Sequence, residues 1–153
     1  MLLVLVRKQM MYVITKGEIV RQYSVSTSRF GVGNKSGSNK TPLGWHRIKQ
    51  KIGGNAKKGE IFKNRRRVGI IAKTGKTQSD LITSRILRLE GLEPGLNQGK
   101  DIDTLHRDIY IHGTAEEHLI GKPASHGCIR MKNRDIIELF NMVNTKTFVW
   151  IIM

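Results

Sequence analysis

The sequence predicts a single domain of mainly β structure over residues 1–153, with one or two helices. Three observations support this prediction. Short runs of β-branched and aliphatic residues, separated by turn residues, fill the first half of the chain. Helical periodicity is clear in only one segment, after residue 133. No repeat or linker divides the 153 residues, a length at which one domain buries about two-thirds of its unfolded surface.

The first three elements are predicted strands at residues 2–6, 11–15 and 19–25. Lys16 and Gly17 form a turn signal between the last two, so the three strands are expected to make a β-meander. A loop rich in Gly, Ser, Asn and Lys follows at residues 31–44.

Residues 49–67 are basic and contain glycine, a composition typical of a mobile, solvated loop. Two more strands are predicted at residues 68–72 and 81–89. After a turn-rich loop at 92–100, a short strand at residues 109–111 leads into His112.

The predicted helix begins near Asn133, which we expect to act as its N-cap, with Asp135 in the first turn. Its apolar residues fall on one face: Ile136, Ile137, Leu139, Phe140 and Val143. A terminal strand is predicted at residues 147–153.

Lys and Arg outnumber Asp and Glu by 27 to 12, which gives a formal net charge of +15. Such a charge attracts anionic partners but does not determine fold. We find no nucleic-acid-binding motif, so we expect only nonspecific nucleic-acid binding at low salt. The apolar opening of six residues is too short for a signal-peptide core or a membrane span.

The candidate nucleophile is Cys128, the only cysteine, which lies in the segment Ser125-His126-Gly127-Cys128-Ile129-Arg130. Nearby positive charge lowers the pKa of a thiol and so favours the reactive thiolate. A glycine before the cysteine allows a sharp turn whose N–H groups can stabilise an oxyanion.

His112, followed by Gly113 and Thr114, is the candidate general base. It lies at the end of a predicted strand, sixteen residues before Cys128. A strand end and a turn can face each other, so His112 could accept the proton of the thiol.

These residues resemble the signature of the L,D-transpeptidase (YkuD-like) catalytic domains. The resemblance extends over nearly the whole chain, through Thr41-Pro42-Leu43-Gly44, residues 89–95 and residues 109–130. It implies a β-sandwich-like fold with the cysteine in a cleft.

By this resemblance, Cys128 is the nucleophile and His112 the general base, oriented by a backbone carbonyl near Gly113. Backbone donors of His126, Gly127 and Cys128 would surround the oxyanion. Arg130 would hold a substrate carboxylate, a role that suits its planar set of donors.

The resemblance further implies a peptidoglycan L,D-transpeptidase that transfers a tetrapeptide stem from a cysteine thioester to an amine. The bond cut would join meso-diaminopimelate to D-Ala. Stem peptides are the expected partners, with a carbapenem as covalent inhibitor and no cofactor. The alternatives are an L,D-carboxypeptidase, which uses water as acceptor, and a noncatalytic wall-binding domain. We expect a periplasmic or envelope location from this function, with the cytoplasm as the alternative because no signal peptide is visible.

Other interpretations of the polar residues carry less weight. A zinc site of His112, His126 and Cys128 would lack the paired short spacings that structural sites use. Ser125 is expected to form hydrogen bonds within the active-site turn, and with Arg130 it is a candidate substrate-binding residue. The remaining histidines match no motif and are expected at surface or satisfied polar positions: His46, His106 and His118.

Overall fold

The computed structural model describes residues 1–75 and 80–153, in which ten strands form one sheet and one α-helix packs against it. The strands are β1 (Leu2–Leu5), β2 (Met10–Thr15), β3 (Glu18–Ser24), β4 (Gly44–Ile52), β5 (Glu60–Lys63), β6 (Arg66–Ile71), β7 (Ile82–Gly91), β8 (Tyr110–Thr114), β9 (Ile129–Met131) and β10 (Phe148–Ile152). The helix is α1 (Asn133–Met142). Single 3-10 turns cover Val6–Lys8, Lys100–Ile102 and Glu117–Leu119. The predicted fold class, mainly β with one or two helices, is confirmed; the single-domain organisation stays a prediction.

The strand order along the sheet is β3-β2-β1-β10-β4-β7-β5-β6. The first three strands form the predicted antiparallel meander. The C-terminal strand β10 then pairs parallel to β1 and antiparallel to β4. On the other side of β7, strand β8 pairs antiparallel with it, and β9 pairs parallel with β8. This second branch carries both parts of the sequence signature.

The main core lies on one face of the sheet because buried and less buried residues alternate along the strands. Leu2 and Val4 of β1 are fully buried, as are Val149 and Ile151 of β10. On the opposite face, Trp45 of β4 stacks on its register partner Trp150 with ring centroids 4.9 Å apart. Trp45 therefore packs against the neighbouring strand β10.

Helix α1 covers this core where β7 and β8 meet, and it buries Ile136, Leu139 and Phe140. The apolar face and Asp135 in the first turn agree with the sequence prediction. The predicted N-cap is wrong. Lys132 occupies the cap position, and the Asn133 side chain is used for tertiary contacts with β7 and β8 instead.

Residues 49–67 are not the mobile loop that their composition suggested. They include the end of β4, all of β5 and the start of β6, which pairs with β5 as a hairpin. Buried Phe62 anchors β5, and the Arg67 guanidinium binds both carboxylate oxygens of buried Glu60. The basic composition of this segment therefore did not indicate the ordered hairpin that it forms.

Among the helices that the structure describes, none is long and apolar enough to cross a membrane.

Candidate active site

Cys128 lies in a bend just before β9, and the pairing of β9 with β8 sets its position. In that pairing Ile111 faces Ile129 and His112 faces Arg130. The backbone N–H of Tyr110 contacts Cys128 Sγ at 3.3 Å, and the thiol points to the Asp108 carbonyl oxygen at 3.6 Å. The sulfur thus lies beside the start of β8, two residues before His112.

The cysteine turn is fixed by two hydroxyl groups. Ser125 Oγ donates to the Cys128 carbonyl at 2.6 Å and accepts from the Gly127 N–H at 3.2 Å. Thr41 Oγ1 donates to the Gly127 carbonyl and accepts from the Ser28 N–H, both at 3.0 Å. Ser125 therefore forms hydrogen bonds within the turn, as expected. The role of buried Thr41, at the start of the Thr-Pro-Leu-Gly segment, was not predicted.

Gly127 is required by the shape of this turn. Its φ is +125°, and a Cβ there would lie 3.2 Å from Ile109 Cδ1 and 3.4 Å from the Lys40 carbonyl oxygen. Only glycine adopts such a conformation without strain. Its N–H donates to Ser125 Oγ, so its use as an oxyanion donor stays a prediction. The same holds for the N–H groups of His126 and Cys128.

His112 is buried and held in one orientation. Its Nδ1 lies 2.7 Å from the Gly113 carbonyl oxygen, which can only accept, so Nδ1 carries the proton and Nε2 is left as the acceptor. Burial lowers the pKa of His112, although Asp80 and the Gly113 carbonyl oppose this shift. The imidazole is therefore neutral near pH 7, as a general base requires.

Gly113 leaves no room for a side chain beside His112. A Cβ on Gly113 would lie 2.5 Å from the Thr83 carbonyl oxygen and 2.8 Å from Asn133 Oδ1. Asn133 Oδ1 accepts from the hydroxyls of Thr83 and Ser84, and its Nδ2 donates to the Thr114 carbonyl. Asn133 thus ties β7 to β8 next to the candidate base.

The thiol differs from the sequence expectation. Cys128 is half-buried and packs against an apolar cluster that includes Phe62, Ile86 and Tyr110. Burial raises the pKa of Cys128 to about 12; the Tyr110 N–H and the charge of Arg130 lower it, but by less. The expected lowering by nearby basic residues is therefore wrong, since loss of solvent outweighs positive charge here. At neutral pH the resting sulfur is a protonated thiol.

Arg130 is 1% exposed and is already paired with two carboxylates. Its Nη2 lies 2.6 Å from Asp80 Oδ1, and its Nη1 lies 3.2 Å from Glu116 Oε2. Asp80 Oδ2 also contacts His126 Nδ1 at 3.1 Å. The proposed contact of Arg130 with a substrate carboxylate stays a prediction, and it would require one of these pairs to open.

Asp80 and Glu116 were not predicted from the sequence. Neither belongs to a motif, and Asp80 is 50 residues from the arginine that it binds. Glu116 lies between the two halves of the signature, and its position was the only signal that could have drawn attention to it. Burial alone would raise the pKa of Asp80, but His112, Arg130 and His126 outweigh it and keep that pKa below its usual value.

Arg107 is a second cation of the site that sequence reasoning missed. Its Nη2 donates to the Lys40 carbonyl at 2.6 Å and its Nη1 to the Gly33 carbonyl at 3.2 Å. Within residues 1–75 and 80–153, no carboxylate lies within 4.0 Å of its guanidinium nitrogens.

The other histidines do not join the site. His46 is buried, with Nδ1 at 2.9 Å from the Gly44 carbonyl and Nε2 at 3.0 Å from Thr104 Oγ1. His106 and His118 are exposed. All three agree with the expectation of surface or satisfied polar positions. In the part of the chain that the structure describes, no three His, Cys, Asp or Glu residues are grouped to hold a metal ion.

The chain is similar to known proteins both in sequence and in fold. A stretch of 37 residues is 54% identical to YkuD of Bacillus licheniformis, which is assigned as an L,D-transpeptidase; this stretch is 24% of the chain and 22% of that protein. The fold resembles an L,D-transpeptidase from Mycobacterium smegmatis, with a TM-score of 0.64 and 15% identity, over 99% of this chain and 58% of that one. It also resembles L,D-transpeptidase 3 from Mycobacterium tuberculosis, solved with a faropenem-derived adduct, with a TM-score of 0.60 and 16% identity, over 99% of this chain and 59% of that one.

The chain therefore spans less than two-thirds of the length of each of these relatives. Residues 2–151 match the YkuD family, described as the L,D-transpeptidase catalytic domain. Since this match covers the whole signature and all but the last residue of the sheet, the chain belongs to the family of L,D-transpeptidase catalytic domains.

Proposed function

We propose that this chain is a peptidoglycan L,D-transpeptidase that works through a thioester on Cys128. The observation that carries the proposal is the neutral His112 imidazole. His112 lies on β8, which pairs with β9 directly after the cysteine turn. Its Nδ1–H is held by the Gly113 carbonyl, so Nε2 is available as a base. Membership of the family supports the substrate class, a tetrapeptide stem cut between meso-diaminopimelate and D-Ala.

In the acylation step, His112 Nε2 takes the thiol proton while Cys128 Sγ attacks the carbonyl carbon of the scissile amide. The oxyanion accepts hydrogen bonds from backbone N–H groups of the cysteine turn. When the oxyanion collapses, the C–N bond breaks and the D-Ala nitrogen takes the proton from His112. The stem is then held as a thioester, and free D-Ala leaves.

In the transfer step, an amine of a second stem attacks the thioester carbon and gives a proton to His112. Collapse of this second oxyanion breaks the C–S bond and forms the new amide, and the sulfur takes the proton back from His112. Water in place of the amine would make the enzyme an L,D-carboxypeptidase. The choice between them depends on the acceptor, since the first step is common to both.

The raised thiol pKa and the lowered His112 pKa favour a neutral Cys–His pair in the resting enzyme over a preformed thiolate and imidazolium. Proton transfer then accompanies the attack on the substrate. This resting state protects the sulfur from nonspecific electrophiles, because the thiolate is the reactive form.

The family substrate also supports a periplasmic or envelope location, and β-lactams of the carbapenem class as covalent inhibitors. The faropenem-derived adduct of the Mycobacterium tuberculosis relative supports covalent inhibition by β-lactams in general, since a strained lactam carbonyl can acylate a cysteine sulfur.

The proposal is tested by mass spectrometry after incubation with a purified disaccharide tetrapeptide. Wild type should release D-Ala and gain the mass of the acyl group, whereas Cys128→Ala should do neither. His112→Gln should slow acylation by a factor of about 100 or more, because it removes the base. Undiminished acylation of Cys128→Ala would refute the proposed nucleophile.

Product analysis then identifies the acceptor. Crosslinked dimers or exchange with free D-amino acids support the transpeptidase. Release of tripeptide alone supports the carboxypeptidase. Equal binding of wall fragments by wild type and Cys128→Ala, with no turnover by either protein, would favour a noncatalytic wall-binding domain.

A further inference from the structure

The substrate of the proposed function carries carboxylates, and the charge near Cys128 decides how they are held. Arg130, the expected partner, is 1% exposed and is bound by Asp80 and Glu116. These three groups together carry one net negative charge. A substrate carboxylate that approached this cluster would meet repulsion, not an available guanidinium.

The surroundings of Arg107 differ from those of Arg130. Two of its five N–H groups donate to the carbonyls of Gly33 and Lys40, which fixes the plane of the guanidinium. The side chain is only partly buried, and no described carboxylate neutralises it. It therefore keeps a full positive charge and donors that these two carbonyls do not use.

The position of Arg107 relative to the nucleophile follows from Lys40. The Lys40 carbonyl oxygen that accepts from Arg107 lies 3.4 Å from the place of a Cβ on Gly127, the residue before Cys128. Burial lowers the pKa of Arg107, and a Cys128 thiolate, when it forms, opposes this shift. The guanidinium therefore borders the cysteine turn, on the side of the loop at residues 31–44.

From this arrangement we infer that Arg107 binds a carboxylate of the stem peptide during acylation, while Arg130 is a positioning residue held by Asp80 and Glu116. The inference rests on the proposed function for the identity of the substrate. The competing explanation is that Arg107 only fastens the loop at residues 31–44. That role would affect Cys128 without regard to the charge of the molecule that reacts with it.

Two alkylating reagents separate these explanations without any peptidoglycan substrate. The Cys128 sulfur displaces iodide from neutral iodoacetamide or from anionic iodoacetate, and a thioether forms in both cases. At one pH, the ratio of the two rates cancels the thiolate fraction and reports the local charge. We compare this ratio with that of N-acetylcysteine amide, a free thiol without neighbours.

We expect wild type to favour iodoacetate by about tenfold relative to the free thiol, as a charge-assisted contact allows. Arg107→Gln should remove this preference, and Arg107→Lys should keep most of it because the charge remains. Arg21→Met is the matched control; it removes one positive charge from β3, where Arg21 pairs with Glu138, and it should leave the ratio unchanged.

Three outcomes would overturn the inference: a wild-type ratio equal to that of the free thiol, an equal loss of both rates in Arg107→Gln, or a similar change of ratio in Arg21→Met. The first of these is measured on wild type alone, so the inference stays testable even if Arg107→Gln does not fold.

The second measurement uses stem peptides in which either the diaminopimelate carboxylate or the D-Ala carboxylate is amidated. In wild type, one of these amidated stems should acylate Cys128 at least about tenfold more slowly than the natural stem does, and Arg107→Gln should no longer discriminate against it. Discrimination that persists in Arg107→Gln would contradict the inference. If wild type turns over no stem peptide, the proposed function fails, while the iodoacetate ratio still decides whether Arg107 binds anions beside Cys128.

Discussion

At the scale of single residues, Asp80 links the candidate base to the buried arginine. Its carboxylate contacts Arg130 and His126, and its negative charge raises the pKa of His112 against the effect of burial. The protonated form of His112 cannot accept the thiol proton. Asp80 therefore raises the pH below which the proposed acylation stops.

We predict that Asp80→Asn shifts the acid limb of kcat/KM for acylation to lower pH. Without the carboxylate the His112 imidazolium is less stable, so its pKa falls and the neutral base persists in more acidic solution. The same shift should be measured by NMR titration of His112, which does not depend on turnover. Asp101→Asn, which removes the same charge from an exposed side chain, should leave both measurements unchanged. A shift to higher pH in Asp80→Asn would contradict this account.

The site residues that could be predicted from the sequence are those that lie within the two halves of the signature. Cys128, His112 and Gly127 were found because chemistry or backbone conformation restricts those positions to one residue type. Asp80, Glu116, Arg107 and the Thr41 hydroxyl were missed because they act through contacts between distant segments. The sign of the thiol pKa shift was missed for a related reason, since the burial of Cys128 beside Phe62, Ile86 and Tyr110 is a tertiary effect.

At the scale of elements, the junction of β7, β8 and α1 determines where His112 lies. Most strand positions were predictable because apolar residues alternate along them or lie between turn signals. Strands β4 and β5 were not, because basic and polar residues interrupt their few apolar ones, whereas β6 overlaps the strand predicted at residues 68–72. The role of Asn133 was also hidden, since an Asn at a helix start is most often a cap.

We predict that Gly113→Ala destabilises the protein by about 1 to 3 kcal/mol and slows acylation. The new methyl group would lie 2.5 Å from the Thr83 carbonyl, so β7 and β8 must separate next to His112. The free energy of unfolding from urea titration gives the first effect, and the rate of Cys128 acylation gives the second.

Gly54→Ala is the matched control for this substitution. Its φ is not positive, and the nearest atom to the new Cβ is Phe140 Cε1, at an ordinary contact distance of 3.7 Å. Both the stability and the acylation rate of this variant should stay close to wild type. Equal stability of Gly113→Ala and Gly54→Ala would mean that β7 and β8 are not tightly packed at Gly113.

At the scale of the whole molecule, buried neutral histidines make stability depend on pH. His46 is fully buried between Gly44 and Thr104, and burial lowers its pKa to about 4. Burial lowers the pKa of His112 as well. In the unfolded chain both titrate near pH 6.5. Below that pH the unfolded state binds protons that the native state excludes, so acid favours unfolding.

The formal net charge of +15 counts the five histidines as neutral, so acid also adds positive charge to a chain that already repels itself. We predict that the free energy of unfolding changes little around pH 7.5 and falls as the pH is lowered through 6.5 towards 4. The part due to His46 is about 2 to 3 kcal/mol between pH 7.5 and 4.5, from the difference between its two pKa values. Urea titrations at several pH values measure this fall directly.

His46→Gln separates this contribution from the rest, because glutamine keeps a polar side chain at that site but does not titrate. The variant should be less stable than wild type at pH 7.5, and its stability should fall by about 2 to 3 kcal/mol less on acidification. His106→Gln is the control, since His106 is exposed. It should preserve the wild-type pH dependence. If His46→Gln and His106→Gln lose stability equally on acidification, His46 is not the group that makes this fold sensitive to acid.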